Sequence, residues 1–394
     1  MTASAKTGQT GIRFGLTYFM FFAIYGIASP YLQVILRRIG YSNASVGMLL
    51  GLFELIGIAG PIVLARKADA SGRFNPFLVA SGVAVIAGIS LLVIFRSPLA
   101  TVLSLGLLSL GLKTPVPVLD TSVLKAIEND HVQGRKTPSY GVLRSVGSIG
   151  FVIVTVAVQA IPGFDASPPA VMAVGVACIT LAYLLSLASL PETGRGHRAK
   201  QKTARSFAWI DSTFLTGLAV IVLGRLAMAP IGSFFSLYLV ESLKWNAIGA
   251  MSALGAAVEI PMMMLAWKFL RKRSPMQAIN IASAAILARL LVYAVFPTKG
   301  GVIAGQLLHS LCYGLFQPAA VVFISLKTPP AERTTGMAML LGIGMGLPAF
   351  IGSAFGGLLL DAVGYRWLFA IFSLFAVASL VLYRLREDVL KAVR

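Results

Sequence analysis

Acidic side chains are scarce. The 394 residues hold 14 Asp and Glu against 33 Lys and Arg, and charged residues make up only 12% of the chain, where soluble domains carry about 25%. A water-soluble globule of this length could not cover itself with so few charges. Cysteine is nearly missing too: Cys178 and Cys312 both sit in apolar stretches, there is no C-x-x-C, and the histidines are His131, His197 and His309. Neither a disulfide framework nor a metal site is supported. There is no G-x-x-x-x-G-K loop, which argues against ATP-driven work by this chain alone. The glycines of Gly342 to Gly346 lie in an apolar stretch with no strand before them, so they are not a dinucleotide loop. No enzyme motif and no cofactor are expected.

What is present is long apolar sequence. Hydrophobic residues reach 57%, gathered in twelve stretches at about 14–36, 44–65, 76–95, 99–122, 138–161, 169–190, 211–240, 246–270, 276–296, 300–325, 336–360 and 364–384. Most are long enough to cross a ~30 Å hydrocarbon core at 1.5 Å per residue, so the expected fold class is an all-α membrane protein of twelve transmembrane helices. The polar start, Met1 to Arg13, runs into the first stretch without a small-residue cleavage site and is read as leading into an uncleaved first helix.

The formal net charge of +19 would suit nucleic acid, but its placement does not. With Lys268, Arg366 and Arg384, at the ends of their stretches, counted with the adjoining loops, four of the Lys and Arg lie inside the apolar stretches, six in the loops after odd-numbered ones, and 23 at the termini and in the loops after even-numbered ones. That asymmetry predicts both termini in the cytoplasm and a multi-pass protein of the inner (plasma) membrane. The expected partners are the lipid bilayer, protons and a small-molecule substrate, with no nucleic acid, and the chain is expected to be a monomer.

Apart from the end residues Asp211, Lys268, Arg366 and Arg384, seven charges lie within the stretches: Lys113, Arg144, Arg225 and Arg289 against Glu54, Asp120 and Glu259. Each costs roughly 2.5 to 3.5 kcal/mol at a helix centre on insertion scales, so they persist only facing one another, water or a ligand. The surplus of one positive charge suits an anionic substrate. Glu54 and Glu259 lie about 15 to 20 Å into their spans, a depth at which a carboxyl group can load and release a proton; the alternative is a static pairing with Lys113 or Arg225. His309 is a proton-carrier candidate by its residue type, or a satisfied core histidine.

The chain divides into 1–191, a basic linker at 192–207, and 208–394. The halves are weakly similar: one span starts after Tyr41-Ser42-Asn43 and carries Glu54, another after Trp245-Asn246 and carries Glu259, and Arg66 and Arg271 follow these acids by twelve residues each. Gly111 and Pro115 match Gly314 and Pro318 at an offset of 203. Two parallel six-helix repeats are the plan of a rocking-halves transporter.

With these features the chain resembles the major facilitator superfamily over its whole length. Asp69, Gly72 and Arg73 fit the superfamily turn after span two, while Ala65 and Ala70 stand where glycine and a basic residue are usual. Within the superfamily it is similar to the phenylpropionate permease group, related to lactose and nucleoside proton symporters. That likeness rests on Ser29-Pro30-Tyr31-Leu32, on Pro115 to Asp120, on Tyr140 to Phe151 with its Tyr-Gly-x-x-Arg-x-x-Gly-Ser segment, on Gln306 to His309 with Gly314, and on Gly352, Gly356, Gly357 and Asp361. Gln317 stands where the group is expected to have a second histidine.

The resemblance implies a central cavity lined by spans four and seven, and so substrate contact by Lys113 and Arg225, with Glu54, Glu259, Gln317 and Arg144 as further candidate ligands. Glu54, His309 and Glu259 are the candidate proton carriers. Asp69, Gly72 and Arg73 imply a latch for one state of the cycle. Asp120 and Arg144, on neighbouring antiparallel spans, are read as an ion-paired brace or gate, with substrate binding the alternative. Arg289 is expected to be structural. The implied function is proton-coupled symport of a small organic solute, a carboxylate such as an aromatic acid, by alternating access. The alternatives are proton-driven efflux of an amphipathic compound, nucleoside or sugar symport, and a receptor or lipid-handling protein on the same fold.

Overall fold

A computed structural model describes residues 2–134, 138–191 and 209–393. Among them no strand occurs. The helices are α1 (Thr2–Arg38), α2 (Asn43–Ser71), α3 (Asn75–Ile94), α4 (Pro98–Lys113), α5 (Pro115–Val132), α6 (Tyr140–Ala160), α7 (Pro169–Leu187), α8 (Ser212–Leu237), α9 (Ile248–Leu270), α10 (Pro275–Val295), α11 (Lys299–Leu307), α12 (Phe316–Lys327), α13 (Arg333–Met339), α14 (Leu347–Leu385) and α15 (Glu387–Lys391). The expected linker at 192–207 lies outside the described residues.

Eleven helical segments among the described residues are long and apolar enough to cross a membrane. The last, Thr335–Leu385, has 51 residues, about 75 Å at 1.5 Å per residue and so enough for two crossings. It breaks at Gly364, whose φ of 76° is one that a side chain would strain. Spans eleven and twelve are therefore two helices that meet at a single non-helical glycine, and twelve crossings result. Span four was expected over 99–122, but α4 and α5 together reach Val132. The charges after Asp120 end the hydropathy signal without ending the helix. Pro115 opens α5 at the first position, where its missing N–H costs nothing.

Two compact units form. The first comprises residues 1–40, 52–199 and 248–253, the second 41–51, 200–247 and 254–394. Each thus includes the opening turns of one helix, α9 or α2, from the other half of the sequence. In the first unit α1 packs on α6 and α7, and α3 on α4 and α7. Glycine makes the close approach possible: a Cβ at Gly88 would lie 2.9 Å from the Ser104 carbonyl and one at Gly111 2.7 Å from that of Ser81, small-residue contacts that stand in for a hydrophobic driving force inside lipid. Ser104 Oγ donates to the Gly88 carbonyl at 2.6 Å. In the second unit α14 packs on α8 and α10.

Each exchanged helix start is held by an aspartate. In the first unit Asp165 accepts from the Ile248 N–H at 2.9 Å and from the Tyr31 hydroxyl at 2.5 Å. In the second, Asp361 accepts from the Ala44 N–H and from Asn43 Nδ2, both at 2.8 Å. A carboxylate at a helix N-terminus satisfies open donors and complements the dipole. Asp211 does the same for α8, accepting from the Phe214 N–H at 2.7 Å and from Lys327 Nζ at 2.7 Å. Slight burial raises the Asp211 carboxyl, but Lys327 and the backbone donors together hold it below its ordinary range.

Candidate substrate and proton site

The two central carboxylates occupy equivalent places. Glu54 is eleven residues beyond the first residue of α2, and Glu259 eleven beyond that of α9, so each lies about 16 Å along its helix. In the first unit Lys113 Nζ donates to Glu54 Oε1 at 2.9 Å and sits 5.3 Å from the Phe53 ring centroid. The pair is not sealed: the side chains keep 28% (Lys113) and 35% (Glu54) of their exposure. Lys113 is the last residue of α4, just before the Thr114–Pro115 break, which frees it from the regular helix surface.

In the second unit the partner of Glu259 is an imidazole. His309 Nε2 lies 3.4 Å from Glu259 Oε2, and His309 Nδ1 lies 2.8 Å from Arg289 Nη1. A guanidinium has only donors to offer, so Nδ1 must accept and the proton of the neutral ring belongs on Nε2, aimed at Glu259. Arg289 is 1% exposed. Its Nε donates to the Tyr293 hydroxyl at 3.1 Å and its Nη2 to Gln306 Oε1. Arg289, expected to be structural, is joined to the Glu259 cluster through His309. His309 immediately precedes a π-helical turn, Ser310–Leu315, an irregularity frequent at functional sites.

Arg225 of α8 differs from both. Its guanidinium lies over the Tyr313 ring at 5.5 Å, and Tyr313 stacks with His309 at 5.8 Å. Nη1 reaches Met228 Sδ at 4.0 Å, Nε is buried without a hydrogen-bond partner, and among the described residues no carboxylate pairs with it. Gln317, one helical turn beyond Tyr313, has a buried Oε1 that is likewise unpartnered. A buried donor or acceptor left unmade costs about 1 to 3 kcal/mol, more for a charged group. Arg225 is therefore an open cation and Gln317 an open acceptor.

Asp120 and Arg144 are brought together, but not as the direct ion pair expected. Asp120 accepts from the Tyr18 hydroxyl at 2.5 Å, Arg144 stacks over Phe22 at 4.1 Å and Tyr18 at 5.8 Å, and Tyr140 bonds with both. Among the described residues the two charges meet through tyrosines. Gly72, with φ 68°, and exposed Arg73 form the turn between α2 and α3, where the Arg73 N–H donates to Ser71 Oγ at 3.2 Å. The side chain of Asp69 lies outside the described residues.

No motif in the sequence singled out Tyr18, Tyr293, Tyr313 or Asp165, and Tyr140 stood out only as the start of the Tyr-Gly-x-x-Arg-x-x-Gly-Ser segment. The available signal was a tyrosine where phenylalanine would serve lipid equally well, since a buried hydroxyl demands a partner.

The profile of the MFS_1 like family matches residues 12–371. The chain belongs to that family. As a member of the MFS_1 like family it is a multi-pass membrane protein and a transporter of the major facilitator type. It is 26% identical over 388 residues to the maltose permease of Geobacillus stearothermophilus, covering 97% of this chain and 95% of that one. It is also 26% identical over 372 residues to the Escherichia coli (strain K12) protein named "Probable 3-phenylpropionic acid transporter", covering 91% and 94%. The fold matches the crystal structure of a mutant of the nucleoside transporter NupG, with a TM-score of 0.82 at 15% identity, covering 95% of this chain and 99% of that one. These family relatives and solved neighbours are transporters of small molecules.

Proposed function

We propose that the protein takes up a small organic carboxylate, of the aromatic-acid type, by proton symport through alternating access, as a monomer in the inner membrane with both termini cytoplasmic. One observation carries the substrate class. Of the cations near the equivalent acids Glu54 and Glu259, Lys113 has a carboxylate at 2.9 Å, whereas Arg225 has no acidic partner among the described residues. A planar two-point donor left open beside an aromatic ring suits a carboxylate.

Glu54 and Glu259 are the proton carriers in this reading. Each has a partner that responds to its charge state: a protonated Glu54 releases the Lys113 ammonium, and a protonated Glu259 leaves the His309 Nε2–H without a charged acceptor. His309 then acts by orienting Glu259 while Arg289 occupies its other nitrogen. Asp120, Arg144, Asp69, Gly72 and Arg73 are assigned to gating. The reading is tested by uptake into proteoliposomes under an imposed pH gradient, screened over aromatic acids, nucleosides and sugars. Accumulation confined to the acids supports it, and accumulation confined to neutral solutes removes it.

A second reading, symport of a neutral sugar or nucleoside, is favoured by the maltose permease among the relatives and by the open acceptor on Gln317. In that case Arg225 would hold hydroxyl groups, and Arg225→Lys would be tolerated.

A further inference from the structure

We propose that the turn between α9 and α10 is a docking surface for anionic phospholipid headgroups. Lys268, Arg271, Lys272 and Arg273 place four cations within six residues, all exposed, and among the described residues no carboxylate pairs with any of them. Clusters of this size beside a membrane span bind anionic lipid.

The geometry adds what composition lacks. Lys268 Nζ and Arg271 Cζ lie 5.9 and 5.5 Å from the ring centroid of Trp267, which is 52% exposed, and Arg273 Cζ lies 5.7 Å from that of Phe269. Just before the tryptophan, the last turns of α9 expose Met263, Met264 and Leu265. An apolar band, an indole at its edge and cations beyond is the order of a phospholipid read from acyl chain to phosphate. The turn is also fixed. The Arg271 N–H donates to the Trp267 carbonyl at 3.0 Å and the Arg273 N–H to that of Phe269 at 3.1 Å. A capping box between Ser274 and Gln277 then starts α10 at once. A surface that is both preorganised and free of acids favours a negative headgroup over a zwitterionic one.

The corresponding turn after α2 provides the control. Arg66, Lys67 and Arg73 are exposed there too, but Asp69 stands among them and the nearby Phe74 is buried. Positive charge alone, as a topology signal, would make the two turns equivalent for lipid.

The test uses the full chain in nanodiscs of phosphatidylcholine with and without phosphatidylglycerol, with retained lipid read by native mass spectrometry. The wild type should retain phosphatidylglycerol over phosphatidylcholine by about tenfold, consistent with favourable contributions from several juxtamembrane cations, and this preference should shrink as salt rises. K268Q/R271Q/K272Q/R273Q should abolish it and Trp267→Leu should reduce it, while R66Q/K67Q/R73Q keeps it. Should the quadruple variant not reach the membrane, the single Arg271→Gln serves in its place, with a severalfold loss expected. Equal retention of both lipids by the wild type, an equal loss in the two charge-removal variants, or displacement of the lipid by inorganic phosphate with Trp267→Leu unaffected would each overturn the proposal.

Discussion

Arg289 Nη1 lies 2.8 Å from His309 Nδ1, so a permanent cation occupies one ring nitrogen of a histidine whose other nitrogen faces Glu259 at 3.4 Å. The arrangement fixes the tautomer of the imidazole. Nitrogen-15 NMR of labelled His309 at neutral pH should show Nε2 protonated and Nδ1 bare. The reverse tautomer, or a doubly protonated ring, would contradict the arrangement.

Replacing the two central acids separates coupling from binding. In proteins of confirmed stability, Glu54→Gln and Glu259→Gln should lose pH-driven accumulation by tenfold or more, about 1.4 kcal/mol, while counterflow exchange survives because it needs no net proton movement. His309→Gln should likewise weaken accumulation while sparing exchange, since it removes the group that orients Glu259. Full accumulation in all three would take the proton site away from these residues.

Gln317 offers a different kind of test. Its buried Oε1 lacks a donor, and a site built to accept a hydrogen bond penalises a ligand that cannot give one. Aromatic acids bearing a hydroxyl should compete better than their deoxy analogues, and Gln317→Leu should erase the difference. An unchanged ratio would mean that Gln317 does not meet the substrate.

Topology follows from the charge bias. Cysteines introduced at Ser71 and Lys244 should label from opposite sides of the membrane, with Ser71 on the cytoplasmic side. Labelling of both from one side would break the twelve-crossing arrangement.

Much of the fold was legible because hydropathy and charge asymmetry report directly on the bilayer. What hydropathy could not find were boundaries set by backbone geometry. The extension of α5 to Val132 is polar yet helical, and the joining of spans eleven and twelve depends on one positive-φ glycine. The candidate site was legible as a set of charges and less so as pairs. Helical spacing and shared depth brought Glu54 towards Lys113, and the resemblance set Arg225, expected at the substrate, apart from Arg289, expected to be structural, but no local pattern pointed to Tyr293, His309 and Gln306 as the groups around Arg289. Asp120 and Arg144 were expected to meet directly, whereas two tyrosines from α1 and α6 stand between the charges. Such partners come from packing across helices distant in sequence, which no local pattern encodes.

The central claim is that Arg225 receives the negative end of the substrate. The direct measurement is binding of phenylpropionate to purified wild-type, Arg225→Lys and Arg225→Gln proteins, each shown to be folded. The account predicts that Arg225→Lys, with charge kept and the two-point fork lost, weakens binding about tenfold, and that Arg225→Gln weakens it further. Unchanged phenylpropionate affinity in Arg225→Gln would contradict it.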